Sequence, residues 1–188
     1  MKASDQLAKP AAIGVIPTDT VYGVVARASD EQAVARLYEL KHRESKPGTL
    51  IAANIEQLEQ LGLKHRYLKA VEQFWPGAVS VIIPATDPGL QYLHQGKMSL
   101  AVRIPDDDKL QKLLMQTGPL LTSSANQPGE KPAATVDQAK QYFGAAVDFY
   151  EDGGDLSDNQ PSTIIRIIDD AVEVIREGAV KIDDGTIA

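Results

Sequence analysis

The stretch Ala12-Ile13-Gly14-Val15-Ile16-Pro17-Thr18-Asp19-Thr20-Val21-Tyr22-Gly23-Val24-Val25-Ala26 decides the architecture. Residues 12–16 form a short, β-branched apolar run that stops at Pro17, which is the pattern of a buried strand. Residues 21–26 form a second apolar run with Gly23 inside it, as in a strand approached closely by other backbone. No helix lies between the two runs, so they are expected to pair antiparallel. The link between them, Pro17-Thr18-Asp19-Thr20, places two hydroxyls and an acid at the end of a buried strand.

Outward from this hairpin the pattern alternates. Ser29-Asp30-Glu31-Gln32 resembles a capping box, and Val34, Leu37, Tyr38 and Lys41 follow at helical spacing. Residues 50–53 read as a strand. Ile55, Leu58 and Leu61 mark a short helix ending at Gly62. Leu68, Val71, Phe74 and Trp75 mark another, with the lone tryptophan on its apolar face. Strands are expected at 79–83, 100–102, 120–122 and 147–150, and helices around Leu110–Leu114 and Val136–Phe143. Two last strands, 164–168 and 172–175, flank the turn Asp169-Asp170. Alternating strands and helices argue for an α/β sheet protein, and the adjacent strands at both ends argue that the sheet is mixed.

The chain has 188 residues, which favours one domain over 1–188. A chain of this size buries roughly 70% of its unfolded surface and needs no staples. It has no cysteine, which excludes disulfides, thiolate nucleophiles and cysteine metal sites. Its net charge of −7 argues against a general polyanion binder, so any nucleotide or RNA contact must use a local basic cluster. The polar N-terminus has no apolar segment of signal-peptide length, and no stretch is long and apolar enough for a spanning helix. The expected location is the cytoplasm, away from membranes.

Polar residues gather at strand ends, where open α/β sheets bind ligands. Each group has two readings. Thr18, Asp19 and Thr20 form either a ligand loop or a turn held by side-chain-to-backbone bonds. Lys41-His42-Arg43-Glu44-Ser45-Lys46 is either a phosphate clamp or a helix end complementing the dipole. Thr122-Ser123-Ser124-Ala125-Asn126 is either an anion-binding loop or a capped turn. Arg103, Ser162 and Arg176 also sit at strand ends. Neither a P-loop nor a G-x-G-x-x-G follows any strand, and His42, His65 and His94 are scattered.

Together these segments resemble the YrdC/Sua5 family, the threonylcarbamoyl-AMP synthases. The resemblance rests on Pro17-Thr18-Asp19-Thr20-Val21-Tyr22-Gly23, Lys41-x-Arg43, Trp75-Pro76-Gly77, Ala101-Val102-Arg103-Ile104-Pro105, Ser124-Ala125-Asn126, Pro161-Ser162-Thr163-Ile164 and Arg176-Glu177-Gly178, in that order. It implies an α/β fold: a twisted mixed sheet with flanking helices, YrdC-like and similar to the DHBP synthase RibB-like fold. It implies a nucleotidyltransferase that converts L-threonine, bicarbonate and ATP to threonylcarbamoyl-AMP and pyrophosphate, for N6-threonylcarbamoyladenosine (t6A) at tRNA position 37. Mg²⁺ would arrive with ATP, with no direct protein ligand and no organic cofactor. Implied partners are tRNA or double-stranded RNA and the proteins of the downstream t6A transferase complex.

The resemblance assigns Lys41 and Arg43 as catalytic. It gives Lys41, Arg43, Lys46, Ser124, Asn126, Thr135 and Arg176 to ATP, and Thr20, Tyr22, Arg103 and Ser162 to L-threonine, with Ser99 a weaker candidate. The chain departs from the family pattern in a shorter loop, Glu44-Ser45-Lys46-Pro47, and in Ala52-Ala53 where some members carry a histidine. Longer members append a second domain, which this reading does not expect. Two other readings stand beside the synthase: a non-catalytic RNA-binding module, and a paralogue acting on a different acyl acceptor.

Overall fold

The computed structural model describes residues 2–42, 46–183 and 185–186. Among them lie ten strands: β1 (Ile13–Ile16), β2 (Gly23–Arg27), β3 (Thr49–Ile51), β4 (Val79–Pro84), β5 (Ser99–Arg103), β6 (Leu120–Ser124), β7 (Phe149–Tyr150), β8 (Thr163–Ile168), β9 (Ala171–Arg176) and β10 (Gly185–Thr186). Seven helices accompany them: α1 (Ala3–Leu7), α2 (Glu31–Leu40), α3 (Ile55–Leu61), α4 (His65–Val71), α5 (Gln91–His94), α6 (Asp108–Thr117) and α7 (Val136–Phe143). The strands form one sheet in the order β10-β9-β8-β4-β5-β3-β6-β2-β1-β7.

The sheet is mixed, as the sequence implies. β1 and β2 are antiparallel with Val15 opposite Val24, and β8 and β9 are antiparallel around Asp169 and Asp170. Both turn aspartates take positive φ, 49° and 61°, the conformation of a tight hairpin turn that Asp tolerates. Parallel pairs are β1 with β7, β3 with β5 and β4 with β8.

The pleat explains how a site arises. Side chains alternate across a strand. Val79, Val81 and Ile83 of β4, Leu100 and Val102 of β5 and Leu121 of β6 enter the main core. Ile82, then Ser99, Ala101 and Arg103, then Thr122 and Ser124 face the other side. A second cluster of Ala3, Leu7, Ile16, Val25, Ile51, Leu110, Leu114 and Leu120 closes only one end of that side, under α1 and α6. The uncovered remainder is a cleft floored by the sheet.

Helix ends follow local chemistry. The N-cap of α2 is Asp30 rather than a box starting at Ser29: Asp30 accepts from Ala33 N–H at 3.0 Å and, with its other oxygen, from Ala11 N–H at 2.8 Å. One carboxylate thus caps the helix and ties it to the approach to β1. Burial opposes its ionisation, but these backbone donors outweigh burial and hold its pKa below the usual aspartate value. Asn54 caps α3, and Gly62 ends it at φ 118°, a left-handed position that costs glycine nothing.

Three elements were not expected from the sequence: α1, α5 and β10. α1 sits in a segment read as polar, yet it buries Ala3 and Leu7. The strand expected at 147–150 is shortened to Phe149–Tyr150. Trp75 follows a 3-10 turn at Glu72–Phe74 rather than lying on a helix face, is only half-buried, and donates to Val79 O at 3.0 Å. Among the described residues no helix is long and apolar enough to cross a membrane.

Candidate functional site

The open sheet face holds a cleft of about 510 Å³. Thr18 and Thr20 form one wall. Thr18 Oγ1 donates to Val21 O at 2.7 Å and accepts from Thr20 N–H at 3.2 Å, so the loop between β1 and β2 is fixed before any ligand enters. The loop is thus a side-chain-stabilised turn, and it lines the cleft. Thr49, Ala101, Thr122 and Ser124 contribute to the floor, and Ser162 and Arg176 to the far wall. Lys97, Ile82, Ile164 and Arg166 extend it past Ser99.

Arg103 is 3% exposed and salt-bridged through Nη1 to Asp19. Its Nε is buried and has no hydrogen-bond partner. A buried guanidinium N–H without an acceptor is costly. The residue also lines the cleft, so a cation paired with Asp19 stands in its wall.

On the far wall, Ser162 is held from two sides. Its hydroxyl lies 2.8 Å from Ser80 Oγ, and Arg176 Nη2 donates to Ser162 O at 2.7 Å. Gly178 makes this closeness possible, because a Cβ there would lie 2.2 Å from Pro161 O.

Lys41, Ser124 and Asn126 come together although 83 residues separate the first two. Lys41 Nζ donates to Ser124 O at 2.7 Å, to Asn126 O, and to Asn126 Oδ1 at 3.4 Å. Ser124 Oγ donates to the same Oδ1 at 2.6 Å, and Lys41 Nζ lies 5.8 Å from the Phe143 ring centroid. Through these bonds the Lys41 ammonium, at the C-terminal end of α2, fastens the loop after β6.

Other expected site residues fall elsewhere. Tyr22 does not face the cleft. It is fully buried, its hydroxyl donating to Gly154 O at 2.9 Å and accepting from Gly153 N–H at 2.8 Å. Burial raises its pKa. Thr135 is the N-cap of α7, accepting from Gln138 N–H at 3.3 Å. Lys46 is exposed and does not line the cleft. Arg43 lies outside the described residues. Thr20, Ser99, Arg103, Ser124, Ser162 and Arg176 do meet in the cleft.

The sequence reading named Asp19 and Thr122 only as members of their loops, with no role of their own, and did not single out Ser80, Thr49, Lys97 or Arg166. Thr122 carried a signal, a polar residue on the outward pleat of an otherwise apolar strand. Among the described residues no three His, Asp or Glu side chains gather to hold a metal. A second hollow of about 530 Å³ lies beyond Thr18, against α1 and α6, and contains none of the expected residues. It sets Lys2, Lys109 and Lys112 against Asp107, Glu151 and Asp152.

Fold and cleft together define an α/β protein that gathers hydroxyls and arginines on an open sheet face. The chain belongs to the Sua5/YciO/YrdC family, whose model, described as "Telomere recombination", matches residues 6–178. It is 38% identical over 152 residues to the threonylcarbamoyl-AMP synthase of Escherichia coli O1:K1 / APEC, covering 77% of this chain and 80% of that protein. The structure of P. abyssi Sua5 complexed with L-threonine superposes with a TM-score of 0.82 at 28% identity, covering 94% of this chain. The chain spans about half, 53%, of that Sua5 chain. E. coli YciO shares the fold at a TM-score of 0.81 and 23% identity, over 95% of this chain and 88% of YciO.

Proposed function

We propose that this protein is a threonylcarbamoyl-AMP synthase that joins L-threonine, bicarbonate and ATP, and that its product serves t6A formation in tRNA. The observation that carries this reading is the cleft itself: Arg103, held by Asp19, lines it together with Arg176 and Ser124. Such a cleft offers separate places for a carboxylate and a phosphate chain. The names of the curated relatives favour the synthase over an RNA-binding module or another acyl acceptor.

The chemistry asks little of the protein beyond placement. The threonine amine attacks bicarbonate carbon, water leaves, and a carbamate results. A carbamate oxygen then attacks the α-phosphorus, and the bond to the β-phosphate oxygen breaks to release pyrophosphate. No protein nucleophile is required. Positioning alone is worth roughly 7–11 kcal/mol, and fixed donors at the developing charge add to it.

In this reading Arg103, Thr20 and Ser162 hold threonine. Arg43 and Arg176 meet the phosphates, and Ser124 and Asn126, clamped by Lys41, meet the nucleotide. Mg²⁺ enters as part of the ATP substrate. The tRNA-modifying partners and a cytoplasmic location belong to the same proposal.

The test is pyrophosphate release from ATP, with threonine, bicarbonate and protein omitted in turn. Release that needs all three supports the reading. Release that is indifferent to threonine, or no release with retained fold, overturns it.

A further inference from the structure

We propose that Asp19 is the positioning residue that aims Arg103 at the carboxylate of the acceptor amino acid. The inference rests on the reading that Arg103 receives threonine. Three observations carry it.

The pair is buried from solvent, with 3% of the Arg103 side chain and 8% of the Asp19 side chain exposed. Asp19 engages only one end of the guanidinium: Nη1 is the bonded atom, while Nε has no partner. Both ends of the pair are anchored. Thr18 and Thr20 lock the turn on either side of Asp19, and Arg103 O accepts from Ala52 N–H at 3.2 Å where β5 pairs with β3.

A guanidinium is planar and offers its donors as forked pairs. With Nη1 held by Asp19, the plane of the guanidinium is fixed in the wall of the cleft that Arg103 lines. The donors of a guanidinium so fixed match two oxygens of one carboxylate. Asp19 also offsets the charge of a cation that would otherwise be buried alone. It therefore acts through Arg103 and touches no substrate itself.

The experiment compares wild type, Asp19→Ala, Asp19→Asn, Arg103→Ala and the double variant Asp19→Ala/Arg103→Ala. Threonine, bicarbonate and ATP are each varied in the pyrophosphate assay, and circular dichroism reports the fold. The expected result for Asp19→Ala is a threonine KM raised about tenfold or more, with kcat within about threefold and the bicarbonate and ATP KM within about twofold. Asp19→Asn keeps an acceptor oxygen and should recover part of the loss. In the Arg103→Ala background, Asp19→Ala should change the threonine KM by less than about twofold.

A threonine KM that is unchanged or lowered in folded Asp19→Ala overturns the proposal. So does an equal effect of Asp19→Ala with and without Arg103, or a rise confined to bicarbonate. If Asp19→Ala does not fold, Asp19→Asn carries the test by calorimetric titration with L-threonine, where affinity equal to wild type overturns it. Failure of the wild type to turn over threonine would instead strike the functional reading itself.

Discussion

Tyr22 shows how far a motif can be read from its residue types. It stands beside Thr20 in a segment whose neighbours line the cleft, and the resemblance placed it with threonine. The pleat decides otherwise. Tyr22 turns away from the open face and ties β2 to the backbone at Gly153 and Gly154. Tyr22→Phe leaves that N–H and that carbonyl without their shared partner, which costs about 1–3 kcal/mol. The expected outcome is a melting temperature several degrees lower, with threonine KM and kcat within about twofold of wild type. A threonine KM raised tenfold at unchanged stability would return Tyr22 to the substrate site. Lys41 teaches the complementary lesson. Its charge was legible in the sequence as a clamp on an anion, but only the fold shows that the oxygens it holds belong to the loop after β6.

At the scale of elements, the hairpins and most helices were legible because their signals are local. Proline ends β1, Asn54 and Gly62 bound α3, and Asp169-Asp170 turns the chain between β8 and β9. α1 was not legible, since five residues cannot show a period and its burial depends on α6 far along the chain. Thr20, Arg103, Ser124, Ser162 and Arg176 were legible as strand-end residues and do meet in the cleft. That Asp19 and Ser80 support them was not legible, because an ion pair across 84 residues or a hydroxyl contact across 82 leaves no local pattern.

Two predictions belong to this scale. Gly178→Ala puts a Cβ against Pro161 O and Ser162, so the segment after β9 must move away from the one before β8. Pyrophosphate release should fall at least about tenfold while circular dichroism keeps its shape; full activity would show that the approach of Arg176 to Ser162 is not needed. The second concerns Asp148, which accepts from Ile13 N–H at 2.8 Å and pairs with Arg36 of α2. Burial opposes its ionisation, but these donors win and lower its pKa. Its stabilisation is therefore complete above the ordinary aspartate pKa of about 3.9 and is lost as pH falls through the folded-state value below that. Asp148→Asn should lower the urea midpoint at pH 7 and pH 5 and converge on wild type in stronger acid. A gap that stays constant down to the acid transition would show that the charge of Asp148 contributes nothing.

At the scale of the whole molecule, the net charge of −7 and the cationic cleft act on anions in opposite directions. Of the cations that line the cleft, Arg103 is matched by Asp19 and Arg166 by Glu173. With those two charges matched, the positive field over the cleft is short, which suits one small anion held at close range and not the tracking of a polyanion. A protein that neutralises six to ten nucleic-acid phosphates loses about 10³–10⁵ in affinity between 50 and 200 mM salt. Here ATP binding, read by calorimetry, should weaken less than about tenfold over that range. The reason is that salt screens the unfavourable outer charge along with the favourable inner charge. A 20-base-pair RNA duplex should bind no tighter than the weak end of the non-specific range, about 10⁻⁴ M at 150 mM salt. Micromolar or tighter binding of that duplex with a steep salt slope would mean that a basic surface exists which the cleft's cations do not supply, and would restore the RNA-binding reading.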